Sequence, residues 1–110
     1  LIEKLLRLGA GEVRVMDPTV RAAEDLRWRR RPGPRLLARV RVVTEGEDAA
    51  RGIDFAAVAT PWEAFRRLPW RAWAEAAARP LLFDGRNFLD PAEMREAGWT
   101  YYGVAREVGG

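Results

Sequence analysis

The apolar residues of the chain switch repeatedly between helical and strand-like spacing. Helical spacing or helix-starting residues mark five segments, the fourth divided by Pro69: 1–8, 19–29, 44–52, 60–77 and 91–97. Alternating or uninterrupted apolar sequence predicts five strands: 12–16, 36–43, 53–59, 81–83 and 99–105. Helices and strands therefore alternate, which is typical of a parallel sheet with helices on its faces.

Local signals predict where several helices begin and end. Asp17-Pro18 is an N-cap followed by a proline at the first turn. Residues 44–47 and 60–63 each have the spacing of a capping box, and residues 90–93 repeat the Asp-Pro start. Gly98 predicts the end of the helix that begins at residue 91.

The alternation predicts a Rossmann-like, three-layer α/β/α sandwich in one domain over residues 1–110. A βαβ unit begins on a strand but this pattern begins on a helix, so we expect the first, central strand to be missing and the domain to be truncated at its N-terminus. The strands flanking that position, 12–16 and 53–59, should either pair directly or leave a gap that marks a fragment. Direct pairing gives the order 39–43, 12–16, 53–59, 81–83, 99–105. Because residues 55–59 are uninterrupted apolar sequence, strand 53–59 should be the most buried.

Composition narrows the chemistry available to these 110 residues. There is no cysteine and no histidine, which excludes thiol nucleophiles, disulfides, Cys-ligated metals and imidazole acid–base catalysis by this chain. The net charge is only +3, but 18 of the 19 basic residues are arginine. This preference for arginine reflects either a composition bias or a role in binding phosphate. No apolar run approaches a membrane span of about 20 residues. We expect a cytoplasmic domain without catalysis of its own.

Ligands of open parallel sheets bind beyond the carboxyl ends of the strands, where Arg86 is the sharpest candidate. It follows a glycine in a turn directly after a predicted strand, so it either binds a phosphate or a base edge bidentately or braces its loop through Asp84 or Asp90. Thr60 and Asp17 suit N-caps better than ligand contacts.

Three other features favour structural interpretations. Residues 27–35 interleave five arginines with Trp28, which fits either a solvated loop, the favoured interpretation, or a nucleic-acid-binding patch. The five tryptophans are interpreted as packing residues. Gly9-Ala10-Gly11 follows a helix and lacks a third spaced glycine, so it is not a dinucleotide loop.

Residues 82–91, Leu-Phe-Asp-Gly-Arg-Asn-Phe-Leu-Asp-Pro, followed by Gly-Trp-Thr-Tyr-Tyr-Gly-Val-Ala-Arg at 98–106, closely resemble one family. They look like the C-terminal, UDP-binding domain of the UDP-glucose/GDP-mannose dehydrogenases. Residues 5–18, 52–60 and 62–65 agree in order and spacing, so the resemblance covers nearly the whole chain.

The resemblance implies an NAD-dependent enzyme that oxidises UDP-glucose to UDP-glucuronate. It implies that this domain closes over the nucleotide of a UDP-sugar, while NAD and the catalytic cysteine belong to the N-terminal and central domains, which would be its partners. The substrate-binding residues implied or suggested here are Asp84, Gly85, Arg86, Asn87, Thr60 and Trp62.

The chain departs from the family pattern in several ways. It lacks the catalytic cysteine, the glycine fingerprint and the strand and basic loop before the first helix; Pro61 stands where a glutamate is common, and the loop at 29–35 is enlarged. Three hypotheses remain: a UDP-sugar-binding domain, a nucleic-acid-binding module, or an interaction subunit of a split dehydrogenase.

Overall fold

The computed structural model describes residues 1–26, 28–44 and 49–104, and these form two compact units, 1–45 and 46–110. The elements of unit 1 are α1 (Ile2–Arg7), β1 (Val13–Val15), a 3-10 helix (Ala23–Asp25), α2 (Pro34–Leu37) and β2 (Val40–Val42). The elements of unit 2 are β3 (Ala56–Val58), a 3-10 helix (Glu63–Arg67), α3 (Trp70–Ala76), β4 (Leu81–Asp84), α4 (Pro91–Ala97) and β5 (Thr100–Gly103). Parallel sheets with flanking helices make this a Rossmann-like α/β fold.

Unit 1 contains a parallel pair, β1–β2, in which Arg14 lies directly opposite Arg41. Two like charges at paired positions repel one another. Glu12 offsets this repulsion, because its carboxylate lies 2.6 Å from Nε of Arg14 and 4.0 Å from Nε of Arg41. The hydrogen bond from Arg14 is the main cause of a lowered pKa of Glu12; burial opposes it, and the charges of both arginines add to the lowering. All three side chains remain accessible to water, so their contribution to stability is small.

Unit 2 contains the parallel sheet β3–β4–β5, with β4 in the middle. Leu82 of β4 pairs with Tyr101 of β5, and both side chains are buried on one face. Phe83 points to the opposite face and is 42% exposed, with its ring stacked on Tyr102 at 5.0 Å and edge-on to Phe55 at 5.6 Å. The sheet therefore has one buried face and one face on which aromatic rings reach solvent.

A tryptophan cluster forms part of the buried core of unit 2. The centre of the Trp70 ring lies 5.5 Å from that of Trp73 and 5.9 Å from that of Trp99. Both pairs have the edge-to-face arrangement that aromatic rings prefer. The indole N–H of Trp99 donates to the Trp70 carbonyl at 2.8 Å, and the indole N–H of Trp70 donates to the Phe65 carbonyl at 2.8 Å. The interpretation of these three tryptophans as packing residues is confirmed.

Helix α4 follows its sequence signals closely. The Asp90 carboxylate accepts a hydrogen bond from the amide of Ala92 at 2.9 Å, and Pro91 occupies the first turn. Gly98 ends the helix in the left-handed conformation, with φ of 112°. Its α-carbon also faces Ala74 of α3, so the same glycine permits close packing of the two helices.

Several predicted elements are wrong. Within the described part of segment 19–29 there is only the 3-10 helix Ala23–Asp25, and Asp17 instead accepts hydrogen bonds from the amide and hydroxyl of Thr19. Residues 34–37 form helix α2 rather than the start of a strand, because Pro34 at the first turn favours helix over the alternating pattern. The predicted helix 44–52 and the last strand, 99–105, each extend partly outside the described residues.

The predicted strand order is confirmed within each sheet, and of the two alternatives for strands 12–16 and 53–59, direct pairing is wrong. Strand β1 pairs with β2, and β3 with β4, but β1 and β3 belong to different sheets rather than pairing directly. Strand β3 is also not the most buried strand, since Ala57 and the preceding Phe55 are exposed while β4 contains the buried Leu82 and Asp84. An uninterrupted apolar run shows that a segment is hydrophobic, but it does not show whether other elements cover both faces of the strand that the segment forms.

Among residues 1–26, 28–44 and 49–104, no helix is both long and apolar enough to cross a membrane.

Substitution of Gly98 by alanine should destabilise unit 2. A β-carbon there would lie 3.2 Å from the β-carbon of Ala74, and a left-handed backbone costs a non-glycine residue about 1–2 kcal/mol. We expect a loss of at least that size in urea unfolding followed by tryptophan fluorescence. Gly11→Ala is the control, because a β-carbon at Gly11 meets no atom within 4 Å and needs no left-handed backbone. Equal losses in both variants would contradict this interpretation of Gly98.

Candidate functional site

The candidate site is built around the carboxyl end of β4, where the strand ends in a buried carboxylate. Asp84 is 1% exposed. One of its oxygens accepts a hydrogen bond from the amide of Arg86 at 3.1 Å, and the other accepts from the amide of Leu89 at 2.8 Å and the hydroxyl of Tyr101 at 2.7 Å. A buried carboxylate with several donors holds its surroundings firmly, because losing a donor leaves part of a charge unsatisfied. Asp84 thus shapes the loop that follows it.

The next residue, Gly85, places this loop against β3. Its amide donates to the carbonyl of Val58 at 2.9 Å, and a β-carbon on Gly85 would lie 3.2 Å from that same oxygen. A side chain here would press on the backbone at the end of β3. The glycine is therefore needed for close approach of the two strand ends.

Asn87 fixes the other side of the loop. It has a φ of 48°, a left-handed conformation that asparagine tolerates better than most residues, and its side-chain amide donates to the Val104 carbonyl at 2.6 Å. The loop is thus attached to the last residue of β3 and to the residue following β5, as well as to β4. Arg86 lies between the two attached positions.

The side chain of Arg86 is exposed and makes no hydrogen bond or ion pair with the described residues. Asp84 accepts from the backbone of Arg86, not from its guanidinium, and Asp90 accepts from Ala92. The hypothesis that Arg86 braces the loop through these two carboxylates is therefore wrong for the described structure. Ligand binding by Arg86 stays a prediction.

The loop after β3 brings Thr60 and Trp62 to the same end of the sheet as Asp84. The predicted capping box at 60–63 is wrong: the 3-10 helix begins after Trp62, with no side-chain cap. Thr60 is exposed and forms no hydrogen bond with the described residues, so its hydroxyl is available. The indole N–H of Trp62 is shielded from solvent and has no partner in the described part of the chain.

Sequence reasoning missed one residue of this site, Tyr101. Its hydroxyl is the donor that completes the shell around Asp84. The alternation of β5 could have indicated a buried position, but it could not indicate a partner 17 residues away in sequence.

Two other sequence features lie away from the site. Gly9-Ala10-Gly11 joins α1 to the amino end of β1, whereas a dinucleotide-binding loop joins the carboxyl end of a strand to a helix. In the arginine-rich stretch, Arg29, Arg30, Arg31 and Arg35 are exposed, in agreement with a solvated loop, while Arg27 lies outside the described residues. No group of three or more carboxylates that could hold a metal ion occurs in the described ranges.

The chain belongs to the UDP-glucose/GDP-mannose dehydrogenase family: residues 1–91 match the family's UDP-binding domain. The UDP-glucose 6-dehydrogenase of Pseudomonas aeruginosa is 34% identical over 110 residues, which are the whole of this chain and 23% of that protein. UDP-glucose 6-dehydrogenase 2 of Oryza sativa subsp. japonica is 35% identical over 76 residues, covering 68% of this chain and 16% of the relative. UDP-glucose 6-dehydrogenase YwqF of Bacillus subtilis is 36% identical over 62 residues, or 56% of this chain and 14% of the relative. The chain thus spans less than a quarter of the length of these relatives.

Removal of the Tyr101 hydroxyl should lower the free energy of unfolding, because this hydroxyl supports the Asp84 carboxylate. Tyr101→Phe removes one donor from the buried Asp84 carboxylate, and a hydrogen bond to a charged group contributes about 1.5–3 kcal/mol. We expect a loss of stability of that size in urea unfolding. Tyr102→Phe is a matched control, because the Tyr102 hydroxyl makes no hydrogen bond with the described residues. A Tyr101→Phe variant as stable as Tyr102→Phe would show that the Asp84 network is unimportant.

Proposed function

We propose that unit 2 binds the diphosphate of a UDP-sugar at the carboxyl end of its sheet, with Arg86 as the principal contact. The observation that carries this proposal is an arginine whose backbone is fixed on both sides while its guanidinium has no partner among the described residues. A guanidinium donates two parallel hydrogen bonds to phosphate oxygens. Because the loop is already fixed, binding does not have to order the backbone.

The surrounding donors support the same chemistry. The Thr60 hydroxyl and the shielded Trp62 indole N–H both follow β3, whose last residue, Val58, contacts Gly85. A buried donor without a partner is costly, and an oxygen of the nucleotide would relieve that cost at Trp62. In this proposal Gly85, Asn87 and Asp84 shape the binding loop, and Arg86, Thr60 and Trp62 contact the ligand.

We infer from the relatives that this chain acts within a UDP-glucose 6-dehydrogenase that oxidises UDP-glucose to UDP-glucuronate with NAD. The glycine pair suggestive of a nucleotide loop, Gly9 and Gly11, is at the wrong end of β1 for a dinucleotide. We therefore assign NAD and the chemical step to other parts of that enzyme, which are the partners of this chain. Its own contribution is to hold and orient the substrate, and we propose that it works in the cytoplasm.

The proposal is tested by titrating UDP and UDP-glucose into the wild-type protein and its variants by calorimetry. Arg86→Ala should weaken binding about 5- to 150-fold, because a charge-assisted hydrogen bond contributes roughly 1–3 kcal/mol. Arg86→Lys should recover little affinity, because a point charge does not replace the planar guanidinium. Neither variant should change the free energy of unfolding appreciably.

Arg79→Ala is the matched control. Arg79 is also exposed and also flanks β4, but it precedes the strand, whereas Arg86 follows its end. UDP affinity should be unchanged in this variant. Equal losses from Arg79→Ala and Arg86→Ala would indicate unspecific attraction, and normal UDP binding by Arg86→Ala would overturn the proposal.

A further inference from the structure

Unit 1 contains a cavity of its own, lined by three arginines. Its volume is about 220 Å³. Arg7 of α1 lines it, together with Arg30 and Arg31 of the loop before α2, and the buried Leu6 forms an apolar part of the wall. Two distant segments of the chain thus bring three permanent positive charges to one concave surface.

These arginines have no counter-ion in the described structure. Within residues 1–26, 28–44 and 49–104, none of the three guanidinium groups forms an ion pair. Glu3 lines the same cavity, but its carboxylate accepts a hydrogen bond from the backbone amide of Arg30 at 3.0 Å instead of pairing with a guanidinium. Glu3 therefore fixes the loop to α1 and leaves the cavity basic.

The loop is also stiffened where it carries the arginines. Pro32 and Pro34 enclose Gly33, and each proline fixes its own φ angle. With Arg30 attached to Glu3 and the following residues constrained, the arginines are held near one another despite their mutual repulsion. An anion bound between them would relieve that repulsion.

The charge of the chain is distributed in agreement with such a role. Residues 1–45 contain eleven basic and six acidic side chains, a net charge of +5, whereas residues 46–110 contain eight basic and ten acidic ones, a net charge of −2. The positive charge of the protein is therefore concentrated in unit 1. The summed positive charge of unit 1 attracts anions toward the cavity from distances longer than the contacts of its own side chains.

We propose that this cavity binds a phosphate or diphosphate group, at a site separate from the one around Arg86. Arginine is suited to phosphate because of its planar set of donors. The volume favours a small anion, since cavities that enclose drug-sized ligands are about 300–1,000 Å³. The proposal concerns unit 1 and stands whether or not unit 2 binds a UDP-sugar.

The test is calorimetric titration of pyrophosphate, and separately of inorganic phosphate, into the protein carrying Arg86→Ala. That background removes the contribution of the proposed UDP site. We expect saturable 1:1 binding of pyrophosphate, weakened tenfold or more by Arg30→Gln and by Arg31→Gln. The two variants are independent, so misfolding of one, checked by circular dichroism, leaves the other decisive.

Arg35→Gln is the matched control, because Arg35 lies in the same arginine-rich stretch but does not line the cavity. It should change the affinity less than twofold. Equal weakening by Arg35→Gln and Arg30→Gln would reduce the site to unspecific charge and overturn the proposal. So would loss of all pyrophosphate binding in the Arg86→Ala background.

A duplex DNA titration at two salt concentrations distinguishes a small anion from a nucleic-acid backbone. We expect the duplex to bind weakly, and we expect the affinity for pyrophosphate not to depend on that binding. Tight duplex binding with a steep salt dependence, insensitive to competition by pyrophosphate, would contradict the proposal and favour a nucleic-acid-binding surface.

Discussion

The buried carboxylate of Asp84 is the interaction on which the candidate site depends. A charge removed from water is tolerated only when donors surround it, and here two backbone amides and the Tyr101 hydroxyl do so. Those donors come from the loop after β4 and from β5, so satisfying one carboxylate fixes the path of the chain from Asp84 to Leu89. The exposed Arg86 lies within this segment. A buried acidic group thereby determines where a basic group meets solvent.

The arginines divide into groups with different surroundings. Arg14 and Arg41 lie opposite one another on paired strands and share Glu12 as a counter-charge. The Arg66 guanidinium lies 4.0 Å from the centre of the Phe88 ring, and its Nε lies 3.5 Å from Glu63. Arg86 and the three cavity arginines lack such partners among the described residues, and these are the ones to which we assign anions. A high arginine content alone would not have separated these cases.

The sequence predicted elements well where neighbouring residues alone determine them. The start of α4 is determined by Asp90 and Pro91 and its end by Gly98, all of which lie within one turn of the helix ends. The helix has the predicted bounds. The run that became β4 and its parallel neighbours were also anticipated, as was the family. Prediction failed where the outcome depends on distant residues. The exposure of Phe83 depends on what covers the sheet, and the role of Asp84 depends on Tyr101. At residues 34–37, a proline in the first turn outweighed an alternating pattern.

Amide hydrogen exchange at Leu89 and Arg86 tests most directly whether the Asp84 carboxylate holds the loop. In the wild-type protein the Leu89 amide should be protected as strongly as that of Leu82 in the centre of the sheet. Asp84→Asn replaces one acceptor oxygen by a donor, so protection of Leu89 or Arg86 should fall while that of Leu82 is retained. Rapid exchange of Leu89 in the wild-type protein, or unchanged protection of both loop amides in Asp84→Asn, would show that the Asp84 carboxylate does not hold the loop.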